Sequence, residues 1–325
     1  MKTLSAANAA EYLQNRGMEL EAARVTELGG GVSNTVLLVE SDGQTLVLKQ
    51  ALGKLRVQED WFAGRERVVR EAAALQLLAD LLPQGSLPAV LFEDRENFLF
   101  AMTAAPPDST AWKDLLLNGE ICVDTARAAG ALLGRMASVT WHDDACEKTF
   151  GDQTVFDQLR LDPYYRFTAG RHPDLAFHAA RLIEETSLRR ASMVHGDWSP
   201  KNLLAGRGGV MAIDFEVVHF GDPSFDSAFM LNHLLLKSFA RPQWRSMYAE
   251  AALGFWRAYR SAIPQAPWIE PATLEHLGWL LLARIDGKSP VEYLREHLLQ
   301  DQVRQFARNL ILSSPKSVAE LFGKL

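Results

Sequence analysis

Three polar residues that offer oxygen ligands follow one another in the stretch MVHGDWSPKNLLAGRGGVMAIDFE, residues 193–216. Asp197 precedes Asn202 by five positions, and an apolar run after a glycine-rich turn ends at Asp214. This spacing is typical of phosphoryl transfer, in which one aspartate accepts the proton of the attacking hydroxyl while an asparagine and a second aspartate bind the metal ion. Ligands that are all oxygen favour Mg²⁺. The alternative is turn chemistry, because Asp and Asn also favour loops.

Further acidic residues follow the apolar run. Glu216 is expected to be either another oxygen ligand of the metal or a charge that keeps the metal site in shape. Asp222 and Asp226 are expected to hold loops and to cap the helix that begins near Ser224. The short interval between Asp214 and Asp222 leaves no room for the activation segment with which a protein kinase docks a polypeptide. The substrate is therefore predicted to be a small molecule.

The composition sets broader limits. A chain of 325 residues exceeds the usual size of a single core, which predicts two lobes. Hydrophobic residues make up 48%, and a net charge of −6 argues against a nucleic-acid partner. Two cysteines are too few for a disulfide framework, which favours a reducing compartment. The first residues lack the apolar core of a signal peptide, and runs such as 277–283 are too short to span a bilayer. We therefore expect a cytoplasmic protein without a membrane partner.

The first hundred residues read mainly as β-strands. The runs ARVTEL, TVLLVE and TLVLKQ predict three strands, and Asp42-Gly43 predicts a hairpin turn between the last two. The glycine-rich stretch after the first strand is expected to bind the phosphates of ATP, because glycine lets backbone N–H groups approach an anion closely. Its candidate residues are Gly29, Gly30, Gly31, Ser33 and Asn34. A dinucleotide-binding fold is excluded, since it needs a helix after the glycines; a plain flexible hairpin is the alternative.

A lysine and a glutamate in this region form a second candidate group. Lys49 lies on the third strand, from which a lysine can reach the α- and β-phosphates of ATP. Glu71 stands on the helix predicted at 64–81, where it can pair with Lys49 and hold its ammonium group in place. Glu66 is the rival glutamate. In the alternative interpretation, both Lys49 and Glu71 are solvated surface charges.

Two more strands are predicted at 87–92 and 97–104. They complete a small five-stranded lobe. Adenine is expected to lie against the segment that contains Met102 and Ala104, an assignment that follows from position alone.

The remainder of the chain is helical in pattern. A core helix is predicted at 122–138, whereas the aromatic segment 152–177 is predicted to be irregular. The fold class is therefore α+β. Residues 1–105 are assigned to a nucleotide-binding lobe with an antiparallel sheet, and residues 106–325 to a mostly helical catalytic and substrate lobe.

Together these residues resemble the aminoglycoside phosphotransferase and choline kinase superfamily, over most of the chain. The resemblance implies a bilobal protein-kinase-like fold with ATP between the lobes and Mg²⁺ at the phosphates. It implies that Asp197 is the catalytic base and that Asn202 and Asp214 are the metal ligands. It also implies that Lys49 is the phosphate lysine, with Glu71 as its partner, and that His195 organises the loop. A homodimer is implied by analogy alone.

Several stretches are similar to 5-methylthioribose kinases within that superfamily. They are EYLQNRG, LVLKQALGKLRV with the later Trp61, LRLDPYYRFTAGRHPDL, and the Asp-x-Glu of 214–216. The stretch LLARIDG is similar to the arginine pair with which those kinases bind their sugar, although only Arg284 is present here. The catalytic loop, HGDWSPKN, differs from their H-G-D-L-H-T-G-S.

The predicted activity is ATP-dependent phosphorylation of a small-molecule hydroxyl, with a sugar or sugar-like acceptor. Asp197, Trp198 and Arg284 are assigned to the acceptor site. An aminoglycoside or another antibiotic is the alternative acceptor. A catalytically inactive nucleotide-binding protein on the same fold is the alternative of a different class.

Overall fold

The computed structural model describes residues 3–18, 20, 22–29, 33–41, 43–54, 56, 63–264 and 266–324. The predicted positions Gly30, Gly31, Asp42 and Trp61 lie outside the described residues. The chain divides into two compact units, Met1–Pro107 and Asp108–Leu325, called here the N-terminal and the C-terminal unit. The functions assigned above to the two halves of the chain remain predictions.

The N-terminal unit contains the antiparallel five-stranded sheet that the sequence predicts, with strand order β1-β2-β3-β5-β4. The strands are β1 Arg24–Glu27, β2 Asn34–Ser41, β3 Gln44–Ala51, β4 Val90–Asp94 and β5 Leu99–Thr103. Helix α1 is Ala9–Gln14 and helix α2 is Arg67–Ala79.

Alternation of apolar side chains builds the core on one face of this sheet. Leu37 and Val39 on β2, and Leu46 and Leu48 on β3, are all buried in one hydrophobic cluster, which Leu13 of α1 completes. Side chains at the intervening positions of β2 and β3 point to the other face, and Lys49 is one of them. In the register of the sheet, Lys49 lies between Val36 of β2 and Phe100 of β5. The lysine is therefore fixed in the middle of the sheet.

The C-terminal unit is mostly helical. Its helices are α3 Trp112–Leu117, α4 Val123–Val139, α5 Asp144–Phe150, α6 Thr154–Phe156, α7 Phe167–Arg171, α8 Ala176–Leu188, α9 Ser224–Ala240, α10 Arg245–Ala262, α11 Ile269–Asp286, α12 His297–Leu312 and α13 Val318–Phe322. Its strands are β6 Thr110–Ala111, β7 Ser192–Val194, β8 Leu203–Gly206, β9 Gly209–Ala212 and β10 His219–Gly221. Strands β7 and β10 pair with each other, and β6, β8 and β9 form a second small sheet.

The prediction of an irregular segment at 152–177 was wrong. Residues Asp157–Arg166 form a π-helix that continues into α7, and Pro163 lies inside it. Proline cannot donate a backbone hydrogen bond and its ring clashes with the preceding turn of an α-helix, which is why the sequence suggested a break. The wider turn of a π-helix accommodates this residue without ending the helix.

Helix α9 is the central helix of the C-terminal unit. Fourteen of its 17 residues are buried, and six of these have polar side chains, so the helix is enclosed on nearly all sides and carries polar groups into the interior. Among the residues that the structure describes, no helix combines the length and the apolar composition that crossing a bilayer requires.

Candidate active site

The candidate catalytic loop follows strand β7 and is shaped by a glycine. Gly196 has a φ of 77°, a conformation that residues with a side chain rarely adopt. A Cβ atom at this position would lie 2.7 Å from Cγ1 of Val217 and 2.8 Å from its carbonyl oxygen. The loop can therefore pass close to Val217 only with glycine at position 196.

Asp226, in the first turn of α9, anchors this loop with two hydrogen bonds. Its Oδ2 accepts a hydrogen bond of 2.6 Å from the backbone N–H of His195, and its Oδ1 accepts one of 2.8 Å from that of Gly196. Burial raises the pKa of Asp226 to about 7, although the two N–H groups act in the opposite direction. The sequence assigned this residue to loops and capping, and the structure shows that the loop it holds is the candidate catalytic loop. The N-cap residue of α9 is Pro223, and Asp222 contacts the start of the helix by accepting hydrogen bonds at Oδ1 from the backbone N–H and the hydroxyl of Ser224.

His195 is buried and joins the two parts of the motif. Its Nε2 lies 3.1 Å from the carbonyl oxygen of Ile213, and its Nδ1 accepts from the backbone N–H of Asp197. Nδ1 therefore carries no proton and Nε2 is the donor. Burial lowers the pKa of His195 to about 4, so the ring stays neutral near pH 7. The neutral ring thus links the candidate catalytic loop, which carries Asp197, to Ile213, the residue before Asp214.

The carboxylate of Asp197 is held through one of its two oxygens. Oδ2 lies 2.8 Å from Nδ2 of Asn202, 3.2 Å from Nη2 of Arg160 and 3.6 Å from Nζ of Lys201. Oδ1 makes no hydrogen bond or ion pair within the part of the chain that the structure describes. The oriented carboxylate thus keeps one oxygen available to accept a proton from a substrate.

Arg160 was missed by the sequence analysis. It lies in the π-helix and is buried, and its Nε donates a 2.6 Å hydrogen bond to the carbonyl oxygen of Gly196. Burial lowers its pKa, but the charges of Asp197, Glu216 and Asp214 outweigh this effect and leave it raised. Arg160 therefore stays charged beside the candidate base. A possible signal was the placement of an arginine between two leucines, because arginine is rarely buried without a partner.

Asn202 and Asp214 are brought together by a β-hairpin. Strands β8 and β9 pair Leu203 with Ala212, and beyond them the backbone N–H of Ile213 donates to the carbonyl oxygen of Asn202 at 3.0 Å. Asp214 has a φ of 69°, which is strained for a residue with a side chain and typical of functional positions. The hairpin therefore brings the backbone of Asn202 next to that of Ile213, the residue before Asp214.

The donor chemistry of this hairpin fits a hard cation. Asn202 uses its amide N–H₂ group on Asp197, which leaves the amide oxygen for a cation. Among the described residues, no group of three or more His, Cys, Asp or Glu side chains could hold a metal ion. Few protein ligands, all of them oxygens, fit Mg²⁺, which keeps waters and substrate phosphates in its shell. Glu216, two residues after Asp214, is buried. The charge of Asp197 raises the pKa of Lys201 most, and the charge of Glu216 also contributes.

In the N-terminal unit, Lys49 and Glu71 form a buried ion pair. Nζ of Lys49 lies 2.8 Å from Oε1 and 2.7 Å from Oε2 of Glu71. Lys49 is 3% exposed and Glu71 is fully buried, whereas the rival Glu66 is exposed. The structure thus brings Lys49 together with Glu71, on the strand and helix that the sequence assigned to them.

Part of the predicted phosphate loop is described. Gly29 is exposed after β1, while Ser33 and Asn34 are buried where β2 begins, and Nδ2 of Asn34 donates to Oγ of Ser33 at 3.1 Å. Arg67, another residue that the sequence analysis missed, donates from its guanidinium to the carbonyl oxygens of Ser33 and Leu52. This buried arginine anchors the end of the loop to helix α2.

The remaining predicted residues lie in different surroundings. Met102 is buried on β5 and Ala104 is half-buried just after it. Trp198 is only 1% exposed and its ring lies edge-on to His195, which favours packing under the loop over contact with an acceptor. Arg284, on α11, is half-buried and donates from Nη1 to the hydroxyl of Tyr164 at 3.1 Å.

Comparison with known proteins places this geometry in context. The model of the phosphotransferase enzyme family (APH) matches residues 24–264. Methylthioribose kinase 2 of Oryza sativa subsp. japonica is 28% identical over 256 residues, which are 69% of this chain and 59% of the rice protein. The match thus spans about three fifths of the length of this curated relative.

Two solved structures share the fold over nearly their whole length. Amicoumacin kinase hAmiN, in complex with AMP-PNP, Ca²⁺ and Ami, has a TM-score of 0.61 at 15% identity, covering 96% of this chain and 97% of that one. Spectinomycin phosphotransferase APH(9)-Ia, in complex with ADP and spectinomycin, has a TM-score of 0.58 at 12% identity, covering 99% and 98%. At such low identity, these two structures show a common kinase-like fold.

Proposed function

Because the chain belongs to the phosphotransferase enzyme family, we propose that it transfers the γ-phosphate of ATP to a hydroxyl group of a small molecule. The acceptor oxygen forms a bond to the γ-phosphorus while the bond from that phosphorus to the bridging oxygen of ADP breaks. The proton of the acceptor hydroxyl passes to Asp197. The products are ADP and a phosphate monoester.

The arrangement of Asp197 supports this activity most strongly. Arg160, Lys201 and Asn202 all contact Oδ2, which orients the carboxylate and leaves Oδ1 for the acceptor hydroxyl. The transition state of phosphoryl transfer is loose, so the base needs a correct position more than high basicity. Positioning and fixed charges then supply most of the rate acceleration.

Other residues have proposed roles toward the nucleotide. Lys49, held by Glu71, binds the phosphates, with backbone N–H groups of the glycine-rich stretch that begins at Gly29. Asn202 and Asp214, with Glu216 near them in sequence, would hold Mg²⁺. When bound, this ion neutralises the negative charge of the phosphates.

Similarity to methylthioribose kinases supports a sugar or sugar-like acceptor. Arg284 and Tyr164, which lie in stretches similar to those kinases, are in direct contact with each other. An aminoglycoside acceptor is less well supported, because an acceptor with several positive charges needs an acidic surface, whereas Arg160 and Arg284 are both cationic.

The test is release of ADP from Mg·ATP against a panel of acceptors: methylthioribose, other pentoses and simple sugars, choline and several aminoglycosides. We expect acceptor-dependent ADP release, reduced at least about 10³-fold in Asp197→Asn because the amide cannot accept the proton. Binding of ATP by this variant should remain near that of the unmodified protein. Asp144→Asn, an exposed aspartate at the start of α5, is the matched control and should keep full activity.

Two results would contradict the proposal. Turnover of Asp197→Asn near the unmodified rate would remove the role of Asp197. Binding of ATP without transfer to any acceptor in the panel would favour the inactive nucleotide-binding protein.

A further inference from the structure

Lys237, near the end of helix α9, is a buried cation without a counter-charge. It is 1% exposed, and it forms no ion pair with any described residue. Its Nζ lies 3.4 Å from the carbonyl oxygen of His233 and 5.2 Å from the centre of the Tyr293 ring. His233 is one helical turn closer to the start of α9, which is the end that holds the candidate catalytic loop through Asp226. The ammonium group therefore points toward the catalytic end of the helix.

More positive charge surrounds Lys237. Burial lowers the pKa of Lys237 to about 7, and the charges of Lys113 and Arg284 lower it further, while Asp114 acts weakly in the opposite direction. Burial and the charge of Lys237 lower the pKa of His233 as well. We call Lys237, His233, Arg284 and Tyr293 the basic cluster.

Unused hydrogen-bonding atoms lie in the same cluster. Nε of Arg284 and the hydroxyl of Tyr293 are buried and have no hydrogen-bond partner in the described part of the chain. Leaving such groups unpaired costs about 1–3 kcal/mol each, and more when the group is charged. These groups are donors, so an anion is the ligand that would satisfy them.

Direct contacts join the basic cluster to the candidate catalytic base. Arg284 donates to the hydroxyl of Tyr164, whose ring lies 5.7 Å from the guanidinium carbon of Arg160, which in turn contacts Asp197. On the other side, the ring of Phe229 lies 5.9 Å from that of Tyr164 and 5.1 Å from that of His233. Phe229, His233 and Lys237 are spaced four residues apart on α9 and therefore share one face of the helix. A row of packed side chains thus connects the cluster to the base within the C-terminal unit.

We propose that the acceptor of this phosphotransferase carries an anionic group, a phosphate or a carboxylate, which Lys237 and Arg284 bind while its hydroxyl faces Asp197. This inference rests on the proposed function, since it names the substrate class of that site. It specifies the acceptor further than similarity to known relatives does, because methylthioribose has no charged group. It also disfavours cationic aminoglycosides, which these positive charges would repel.

The physical basis is compensation of charge. A buried cation without a partner keeps most of its desolvation penalty, and a charge-assisted hydrogen bond to an anion offsets it. Arginine and lysine together suit phosphate or carboxylate, since arginine offers a fixed pair of donors and lysine a compact charge. The hydroxyl of Tyr293 would add a third donor.

The first experiment measures binding without catalysis. Ribose 5-phosphate, ribonate and ribose are titrated into the protein by calorimetry at pH 7, with Mg·AMP-PNP at saturation to keep the anions away from the nucleotide phosphate groups. We expect ribose 5-phosphate or ribonate to bind at least tenfold more tightly than ribose; which anion binds separates a phosphate from a carboxylate. Equal binding of all three compounds, or no binding of either anion, would overturn the proposal.

Variants assign the binding to the cluster. Lys237→Met keeps the volume and removes the charge, and it should weaken binding of the anion at least tenfold without lowering the melting temperature. Lys148→Met, which removes an exposed lysine of α5, changes the net charge equally and should bind as the unmodified protein does. If Lys237→Met folds and still binds the anion fully, Lys237 is not part of the site. Arg284→Met then tests the other cation. Full binding of the anion by both variants rejects the basic cluster as the anion site.

A kinetic measurement separates this inference from the proposed function. With ATP, kcat/KM for an anionic acceptor should fall in Lys237→Met mainly through KM, because the lysine holds the acceptor and does not take the proton. If the unmodified protein phosphorylates neutral sugars and uses anionic acceptors no better than these, the kinase is retained and the anionic acceptor is rejected. Binding of the anion without ADP release would reject the kinase activity and leave the anion site in place.

Discussion

Two buried lysines, one in each unit, have opposite surroundings. Lys49, on strand β3, contacts both carboxylate oxygens of Glu71 at 2.7–2.8 Å. Lys237, on helix α9, has a backbone carbonyl at 3.4 Å, an aromatic ring at 5.2 Å and the charges of Lys113 and Arg284 nearby. Both side chains are almost completely removed from water. The difference therefore lies in the partner and not in the extent of burial.

This comparison shows two uses of a buried cation. The pair of Lys49 and Glu71 is neutral overall, so the ammonium group keeps its position with or without a ligand. The charged form of Lys237 retains a desolvation cost, which either an incoming negative charge or loss of its proton removes. The first arrangement positions a group in advance, while the second makes binding of an anion favourable.

The largest effect is expected when the paired lysine loses its partner. Glu71→Gln, or Lys49→Met, removes the oppositely charged group that the remaining buried charge contacts and should lower the free energy of unfolding by about 3–5 kcal/mol, measured by denaturation with urea. The double variant Lys49→Met/Glu71→Leu should recover most of this loss, because neither charge remains. Glu66→Gln, at the exposed neighbouring glutamate, should change the stability by less than about 0.5 kcal/mol. A loss below about 1 kcal/mol in both single variants would show that the pair is not structurally important.

The opposite sign is expected for the unpaired lysine. At pH 7 or below, Lys237→Met without ligand should raise the free energy of unfolding by about 1–4 kcal/mol, because an apolar side chain of similar volume replaces an uncompensated charge. The pKa of Lys237 is about 7 in the folded protein and near 10.5 in the unfolded chain, so between these values the unfolded state binds more protons. The stability of the unmodified protein should therefore rise from pH 7 toward pH 10.

Lys237→Met lacks this dependence of the stability on pH, because it has no lysine at this position. Its advantage over the unmodified protein should be largest below pH 7 and should disappear toward pH 10, as measured by urea denaturation across this range. Lys113, His233, Arg284 and Asp114 also act on Lys237, and of these His233 is already neutral at pH 7 because burial lowers its pKa. A destabilised Lys237→Met, comparable to Lys49→Met, would contradict the view that Lys237 lacks a partner.

The smallest effects concern two buried tyrosine hydroxyls, one with a hydrogen-bond partner and one without. The hydroxyl of Tyr293 has no partner among the described residues, whereas that of Tyr165 lies 2.6 Å from Nδ1 of His276. Tyr293→Phe should leave the melting temperature unchanged or slightly raised, while Tyr165→Phe should cost about 1–3 kcal/mol. Equal losses in the two variants would indicate that Tyr293 has a hydrogen-bond partner after all.

Much of the candidate site could be predicted from local sequence. The interval from Asp197 to Asn202 and the apolar strand before Asp214 indicate the chemistry, since both reflect positions a few residues apart. The five-stranded antiparallel sheet was confirmed, because alternating apolar residues and turn signals are also local. Lys49 and Glu71 could be paired because they stand on adjacent elements, although the sequence could not exclude Glu66.

Predictions from the sequence failed where contacts between segments far apart in the chain determine the structure. Arg160 contacts Asp197 across 37 positions, and Asp226 holds His195 across 31. The segment around Pro163 was predicted to be irregular because proline usually ends a helix, and the π-helix that accommodates it is stabilised by its buried side chains, including Tyr164 and Tyr165.

The sequence by itself determined which groups can do chemistry: an ordered set of oxygen ligands, a lysine on a strand and a glutamate on the next helix. Only the tertiary structure decided which charges are compensated. Lys49 and Lys237 are the same residue type in apolar sequence surroundings, and nothing local distinguishes them. Electrostatic compensation depends on distances of a few ångströms between groups that packing alone brings together, so the paired and the unpaired lysine became distinguishable only in the folded chain.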